Sequence, residues 1–155
     1  MNIGVISDTH GLIRPAALAA LEGSDLIVHA GDIGSPAVLE ALAAVAPVVA
    51  VRGNNDRGRW AAGLPATEIV QADASLVYVL HDLGGLDLDA AAARIGAVIS
   101  GHSHAPKIET RAGVLYVNPG SAGPRRFRLP IAVARMRVDG SHVTAELVVL
   151  ESGGV

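Results

Sequence analysis

Carboxylate, carboxamide and imidazole side chains stand at short, regular spacings in this chain, and together they could bind metal ions. Asp8 and His10 are two residues apart, and so are His102 and His104. In extended backbone, that spacing places both side chains of a pair on the same face. The seven candidate ligands are Asp8, His10, Asp32, Asn54, His81, His102 and His104.

Seven nitrogen and oxygen donors are more than one four-coordinate ion takes. They suit two divalent ions that share a bridging carboxylate and each keep one open position. The donors are hard or borderline and none is a sulfur. Manganese is therefore the first candidate, with iron, nickel, cobalt or zinc as alternatives, and copper(I) is disfavoured.

The elements that must position these residues alternate at the start of the chain. Apolar runs predict strands at 3–6, 26–28 and 48–51, and proline and glycine signals predict helices at 15–22 and 36–45. This βαβαβ order predicts a parallel sheet covered by helices. Further along, the sequence predicts strands at 68–70, 76–80 and 98–99, a helix at 87–94, and hairpins at 107–117 and 131–150.

Each candidate ligand follows the end of a predicted strand, and five different strands contribute. The carboxyl ends of parallel strands share one edge of a sheet, and ligands bind there. Taken singly, Asp8 could form a turn, Asp32 could cap a helix, Asn54 with Asn55 could form a tight turn, and His81 could be a core residue. Their joint occurrence at five strand ends favours a metal site.

Two further histidines are expected to lie outside the site. His29 falls inside a predicted strand, and His142 begins a terminal strand.

The composition excludes several classes of protein. With 50% hydrophobic and 17% charged residues, the chain is not disordered. It has no cysteine, which excludes disulfides, thiolate metal sites and cysteine nucleophiles. A net charge of −3 and 3% aromatic residues argue against nucleic acid as a partner bound by overall charge.

The length predicts one domain over residues 1–150 and a loose tail over residues 151–155. The longest apolar stretch, residues 41–51, contains Pro47 and is too short to span a membrane. No basic segment or long apolar run opens the chain, so we expect no signal peptide and a cytoplasmic protein. The sequence leaves the oligomeric state open, a homo-oligomer included.

The ligand blocks resemble those of the calcineurin-like metallophosphoesterase superfamily. The family pattern runs D-x-H, G-D, G-N-H-[DE], a histidine, and G-H-x-H. The chain carries the blocks in the same order, as Asp8-Thr9-His10, Gly31-Asp32, Gly53-Asn54-Asn55-Asp56, His81 and Gly101-His102-Ser103-His104. The short length and the later 118–121 segment, Asn-Pro-Gly-Ser, resemble the small YfcE-type phosphodiesterase branch, which includes the retromer subunit of this fold.

The resemblance implies an α/β fold, a four-layer α/β/β/α sandwich with two mixed sheets. It also implies ligand sets: Asp8, His10, Asp32 and His104 for one ion, and Asp32, Asn54, His81 and His102 for the other, with Asp32 bridging. The implied activity is hydrolysis of a small-molecule phosphoester, first of all a diester, by attack of a water that bridges the ions. Asp32, Asn54 and Asn55 are the implied catalytic residues.

Other functions stay open. A phosphomonoesterase or nucleotide-specific phosphatase would use the same residues, and a non-catalytic interaction scaffold could use the same fold. The four family histidine positions are filled here, which favours an enzyme.

The chain departs from the family pattern at two positions. Asn55 stands where many members have a histidine; it can donate a hydrogen bond to a phosphate oxygen but cannot act as an acid near neutral pH. Asp82 follows His81 where glycine is common, and it could orient His81 or turn the chain.

Three arginines, at 125, 126 and 128, follow the 118–121 segment. A forked guanidinium such as that of Arg125 could anchor a phosphate, although a solvated loop would have the same composition.

Overall fold

Two five-stranded sheets form the centre of the computed structural model, which describes residues 1–153. The first half of the chain contains β1 (Asn2–Ile6), α1 (Pro15–Ala20), β2 (Leu26–His29), α2 (Pro36–Ala43), β3 (Val48–Ala50) and α3 (Arg59–Ala62). The second half contains β4 (Thr67–Ala72), β5 (Ser75–Leu80), a 3-10 turn (Leu83–Gly85), β6 (Ile95–Ile99), β7 (Lys107–Arg111), β8 (Val114–Asn118), β9 (Ile131–Asp139) and β10 (His142–Glu151).

Both sheets are mixed. The first has the order β10-β9-β1-β2-β3, in which β1, β2 and β3 are parallel and β9 is antiparallel to β1 and β10. The second has the order β4-β5-β6-β8-β7, in which β5, β6 and β8 are parallel. The predicted parallel unit at the start of the chain is confirmed. The two predicted terminal hairpins become β7–β8 and β9–β10.

The main core lies between the two sheets because alternate side chains of each strand face inward. Val5 and Val28 of the first sheet belong to the same buried cluster as Val79 and Ile99 of the second. On the other face of the first sheet, Ile27 packs with residues of α1 and α2. On the outer face of the second sheet, Leu83 and Ala90 pack with Tyr78 and Val98 and form the fourth layer, which confirms the four-layer sandwich.

Residues 83–94, which form the fourth layer, contain no regular α-helix, so the predicted helix at 87–94 is wrong. The 3-10 turn and one irregular turn cover the second sheet there. The Ala93 N–H donates to the Asp89 carbonyl (2.9 Å), but Arg94 adopts a left-handed conformation with φ of 59°, which ends the turn. Only Ala90 of residues 89–94 is buried, so a longer helix would have no apolar face to bury here.

Most other boundaries shift by one or two residues, but β6 begins at Ile95, three residues before the predicted start of that strand. α1 and α2 end at Ala20 and Ala43, two residues earlier than predicted, and α3 was not predicted. β10 continues through Glu151, one residue beyond the predicted end of the domain. Residues 154 and 155 of the predicted tail lie outside the described residues. Within residues 1–153, no helix is long and apolar enough to cross a membrane.

Candidate metal centre

Loops from both sheets meet at the carboxyl ends of their parallel strands. The loop after β1 is tied to the loop after β2, because the Asp8 N–H donates to the Gly31 carbonyl (3.0 Å). The second sheet joins them through His102, whose N–H donates to Asp8 Oδ2 (3.0 Å). The candidate ligands that are distant in sequence therefore come together between the two sheets.

The first group of ligand atoms is Asp8 Oδ1, His10 Nε2 and His104 Nε2. The carboxylate oxygen lies 3.9 Å from the His10 nitrogen and 3.3 Å from the His104 nitrogen. The two nitrogens are 3.4 Å apart. Donors bound at 2.0–2.2 Å to one ion with near-tetrahedral angles are about 3.4 Å apart, so this triangle has the size of a metal site.

The second group comprises Asp8, Asp32 and His81. His81 Nε2 lies 3.3 Å from Asp32 Oδ2 and 3.9 Å from Asp8 Oδ1. Asp32 Oδ2 is also 3.8 Å from His10 Nε2, a member of the first group. Asp8 thus belongs to both groups, and Asp32 lies between the histidines of both, whereas the family pattern makes Asp32 alone the shared ligand.

Two buried ligand atoms lack any other partner. Asp8 Oδ2 accepts hydrogen bonds from Ser7 Oγ (2.7 Å) and the His102 N–H, but Asp8 Oδ1 and His81 Nε2 have no hydrogen-bond partner within residues 1–153. A buried polar atom left unpaired is destabilising by about 1–3 kcal/mol. A cation between these two atoms would satisfy both, so the residues present fit divalent metal ions.

Burial also acts on the ionisation of Asp8. It raises the pKa of the Asp8 carboxyl above its ordinary value, despite the hydrogen bond from Ser7 and the nearby His81. A positive ion beside the carboxylate would favour the charged form and offset this penalty.

His81 presents a defined nitrogen to the site. Its Nδ1 lies 2.7 Å from the Ala30 carbonyl oxygen, which can only accept, so Nδ1 carries a proton and Nε2 holds the lone pair in the neutral ring. Burial acts to lower the pKa of His81, but Asp32, the Ala30 carbonyl and Asp8 outweigh it and raise that pKa.

Asn55 holds the Asp32 carboxylate from two sides. Its backbone N–H donates to Asp32 Oδ1 (2.9 Å) and its side-chain nitrogen donates to Asp32 Oδ2 (3.0 Å). Burial acts to raise the pKa of Asp32, but the nearby His81 ring and the two hydrogen bonds from Asn55 outweigh it and hold that pKa well below its usual range. One N–H of Asn55, predicted to bind phosphate, is thus directed at Asp32 instead.

The backbone of the site is unusual. Asp8, His10, Asp32, His102 and His104 all have positive φ, between 46° and 69°. Left-handed backbone is uncommon outside glycine and costs about 1–3 kcal/mol per residue. Five of the seven candidate ligands share it, which indicates that the fold holds these side chains in place at the expense of local strain.

Neighbouring glycines allow the loops to approach this closely. A Cβ on Gly53 would fall on the backbone and carboxylate of Asp32, and a Cβ on Gly101 would fall on Ser7 Oγ and lie 2.6 Å from Asp8 Oδ2. For this steric reason, the positions directly before Asn54 and His102 are occupied by glycine.

Two predicted ligands lie at the edge of the cluster. The His102 ring is 5.2 Å from the His81 ring, but its side chain is 45% exposed and its Nε2 lies 3.8 Å from Asp82 Oδ2. Asn54 is exposed, directly before Asn55. Asp82 also accepts from the Gly84 N–H (2.9 Å), so it caps the 3-10 turn and faces His102 rather than orienting His81.

His29 and His142 lie outside the site, as expected. His29 is fully buried; its Nδ1 accepts from the Gly31 N–H (3.1 Å), so its Nε2 donates to Thr9 Oγ1 (3.0 Å). Burial lowers the pKa of His29 to about 3, and the ring stays neutral. His142 is exposed at the start of β10, at the opposite end of the sheet from the ligand loops.

The phosphate-binding prediction for Arg125 is not supported. Its guanidinium donates to the carbonyls of Leu129 (3.0 Å) and Ser152 (2.8 Å) and to Glu151 (3.3 Å), so it anchors its own loop to the end of β10. The neighbouring Arg126 is the residue near the ligands, and its charge contributes to the lowered pKa values of His10 and His104, for which burial is the larger cause. The two arginines are equivalent in the sequence, and only the anchoring contacts of Arg125 distinguish them.

Comparisons with known proteins agree with this geometry. A family model for the calcineurin-like phosphoesterase superfamily domain matches residues 1–141. A probable metallophosphoesterase from Methanothermobacter thermautotrophicus is 34% identical over 163 residues, covering 96% of this chain and 92% of that protein.

Solved structures share the fold at lower identity. An archaeal phosphodiesterase superposes with a TM-score of 0.80 at 22% identity, covering 96% of this chain and 100% of that chain. The phosphoesterase YfcE from E. coli superposes with a TM-score of 0.70 at 23% identity, covering 97% of this chain and 100% of that chain. Vps29 from Chaetomium thermophilum superposes with a TM-score of 0.78 at 20% identity, covering 98% of this chain and 99% of that chain. The family model and the sequence relative together show that the chain belongs to the calcineurin-like phosphoesterase superfamily.

Proposed function

We propose that this protein hydrolyses a small-molecule phosphate diester with the help of two divalent metal ions. The observation that carries the proposal is the pair of ligand groups that share Asp8, with Asp32 Oδ2 between His10 and His81. Two adjoining sites are the arrangement that clamps a phosphoryl group during in-line displacement.

Seven residues are proposed as ligands. His10 and His104 with Asp8 would hold one ion, and His81 with Asp32 would hold the other, with His102 and Asn54 completing the set by side-chain rotation from the edge. The donors are imidazole, carboxylate and carboxamide groups, which suit manganese first and iron, nickel, cobalt or zinc as alternatives.

The ions, when bound, would polarise the phosphoryl oxygens and activate a water for attack on phosphorus. The chain's own residues set the geometry of that reaction. Ser7 and the His102 N–H fix one oxygen of Asp8, and Asn55 fixes Asp32, so both carboxylates keep a defined orientation. The guanidinium of Arg126 and the second N–H of Asn55 would contact the phosphate oxygens.

Hydrolysis adds the water oxygen to phosphorus, breaks the bond to the leaving alcohol, and requires a proton at that alcohol's oxygen. Asn55 cannot supply this proton because a carboxamide is not acidic near neutral pH. The proton would come from solvent, and esters with acidic leaving groups should react faster.

The test is metal-dependent turnover. Purified protein is stripped with a chelator, checked by elemental analysis, reloaded with Mn²⁺, and assayed with bis(4-nitrophenyl) phosphate and 4-nitrophenyl phosphate. We expect diester hydrolysis only after reloading. It should be lost in Asp32→Ala and retained in the control His142→Ala, which lies at the far end of the sheet.

Undiminished turnover of the fully stripped protein would contradict the proposed metal role. Turnover of the monoester alone would replace the diesterase by a phosphomonoesterase. Absence of any turnover in the metal-loaded protein would favour a non-catalytic role.

A further inference from the structure

A pocket of about 210 Å³ adjoins the candidate metal centre on the outer face of the second sheet. We call it the Tyr116 pocket; its walls include His102, Ser103, Lys107, Arg111, Tyr116 and Asn118. No motif in the sequence pointed to it, because its residues come from the 82–83 turn, the loop after β6, and both strands of the β7–β8 hairpin.

The pocket begins at the metal centre. His102 lines it, and the His102 ring packs 5.2 Å from that of His81, one of the candidate ligands. A phosphate held by the ligand groups would therefore lie beside its mouth, and one ester group of a diester could extend into it.

The wall nearest the metal centre is held in place before any ligand binds. The side-chain nitrogen of Asn118 donates to the Gly101 carbonyl (2.9 Å) and to Ser103 Oγ (3.0 Å). The Asn118 oxygen accepts from the Gly120 N–H (2.9 Å). These bonds tie β8 to the loop that carries His102, so little ordering is required on binding.

Tyr116 and Arg111 supply flat surfaces. Tyr116 is half-buried against the apolar cluster of the fourth layer, which includes Leu83. The Arg111 guanidinium lies over the Tyr116 ring, 4.8 Å from its centroid, and also pairs with Glu109. A guanidinium plane beside an aromatic ring suits stacking with a planar group.

Charge and size decide what kind of group fits. Lys107 and Arg111 are balanced by Glu109 and Asp82 among the lining residues, so the pocket has no net formal charge and offers little to a second phosphate. Drug-sized ligands occupy pockets of about 300–1,000 Å³, so this smaller pocket suits one ring system.

We propose that the Tyr116 pocket holds an uncharged aromatic or heterocyclic ester group of the substrate, while the phosphate lies at the metal centre. The inference rests on the proposed diesterase function and adds to it the class of substrate: a diester with at least one planar ring beside the phosphate. The nitrophenyl ester and the nucleoside ester are the two simplest examples.

The experiment compares two diesters with the same leaving group. Bis(4-nitrophenyl) phosphate and methyl 4-nitrophenyl phosphate both release 4-nitrophenolate, but only the first has an aryl group left for the pocket. The ratio of their kcat/KM values, corrected for the greater intrinsic reactivity of the bis-aryl ester per leaving group in uncatalysed alkaline hydrolysis, measures recognition of the retained group. We expect the wild type to favour the bis-aryl ester by well over the statistical factor of two.

Variants assign that preference to the pocket. Arg111→Ala and Tyr116→Ala should each lower the ratio about three- to tenfold, and Tyr116→Phe should retain it. Thr110→Ala is the control, because Thr110 is exposed on the same strand and lies outside the pocket lining. Arg111 is also exposed, so its variant keeps the test valid if Tyr116→Ala fails to fold.

The outcomes separate the two proposals. If metal-loaded wild type hydrolyses neither diester, the proposed function fails. If both diesters are hydrolysed but the wild-type ratio is near two, or the ratio is unchanged in folded Arg111→Ala, the diesterase stands and the pocket assignment is wrong. As a readout without catalysis, an NMR titration of metal-free protein with 4-nitrophenol should shift signals of Tyr116 and Ser103, and shifts confined to other residues would overturn the assignment.

Discussion

Replacing Ser7 by alanine removes one hydroxyl group and should weaken metal binding without changing a ligand. Ser7 is fully buried, and its Oγ donates to Asp8 Oδ2 at 2.7 Å. The other donor to that oxygen is the His102 N–H at 3.0 Å. The two bonds fix the carboxylate so that its other oxygen, Oδ1, faces His10, His104 and His81.

The expected magnitude follows from this geometry. A hydrogen bond to a charged group contributes about 1.5–3 kcal/mol. The remaining bond from His102 keeps part of the orientation, so the loss should lie toward the lower end, about 1.5–2 kcal/mol, which corresponds to about 10- to 30-fold in metal affinity. Ligand identity is unchanged, so the effect would report the support that Ser7 gives to the orientation and the charged form of the Asp8 carboxylate.

The assay is equilibrium titration of chelator-stripped protein with Mn²⁺, followed by the Mn²⁺ concentration that gives half-maximal activity. Ser24→Ala is the matched control: it also removes a hydroxyl donor, in this case to the Leu21 carbonyl (2.7 Å), outside the ligand loops. An affinity of Ser7→Ala within twofold of wild type, with the fold intact, would refute the view that the bond orients Asp8.

Three further predictions address the neighbours of the site. Arg126→Ala should raise KM for a diester about tenfold or more, whereas Arg125→Ala should leave KM near wild type and lower the melting temperature, as steady-state kinetics and thermal melts would show. The folded-state pKa of His29 is about 3, below the ordinary 6.5, so the free energy of unfolding should fall as pH drops below 6.5, by about 4 kcal/mol at pH 3. In urea unfolding of metal-free protein, the free energy of unfolding should fall less steeply with decreasing pH in His29→Gln than in the wild type. The same pH dependence in both proteins would contradict a buried neutral His29 ring. Gly101→Ala should abolish measurable Mn²⁺ binding and destabilise the fold by about 1–3 kcal/mol, because the added Cβ meets Ser7 Oγ; normal binding would show that the loop can move.

The position of the site could be predicted because it depends on strand order. Asp8 and Asp32 follow buried strands of the first sheet and His81 follows a buried strand of the second, and the parallel strands of each sheet bring their carboxyl ends to one edge. Both the apolar runs that form these strands and the motif blocks that follow them can be recognised in one sequence. The family resemblance, and not the periodicity of the sequence, predicted two sheets and the meeting of the loop after β1 with the loop after β6.

The finer features depend on contacts that the sequence does not encode locally. Arg125 and Arg126 are chemically identical neighbours, and only the carbonyls of Leu129 and Ser152 decide which one is anchored. The alanine-rich segment 89–94 has good helix propensity, but the fold gives it one buried residue, so packing does not support a helix.

The sequence also could not predict that both ligand groups share Asp8. Its orientation depends on Ser7 and on the His102 N–H, the latter 94 residues away in the chain. The left-handed backbone of Asp8 and His10 is likewise imposed by tertiary contacts, since neither residue type requires it.

The most direct test of the central claim is anomalous diffraction from crystals of the Mn²⁺-loaded protein. We expect two manganese peaks per chain, one about 2.0–2.3 Å from donor atoms of Asp8, His10 and His104, and the other at the same distance from donor atoms of Asp32 and His81. A single peak, or peaks that bind none of these residues, would contradict a two-metal centre between the sheets.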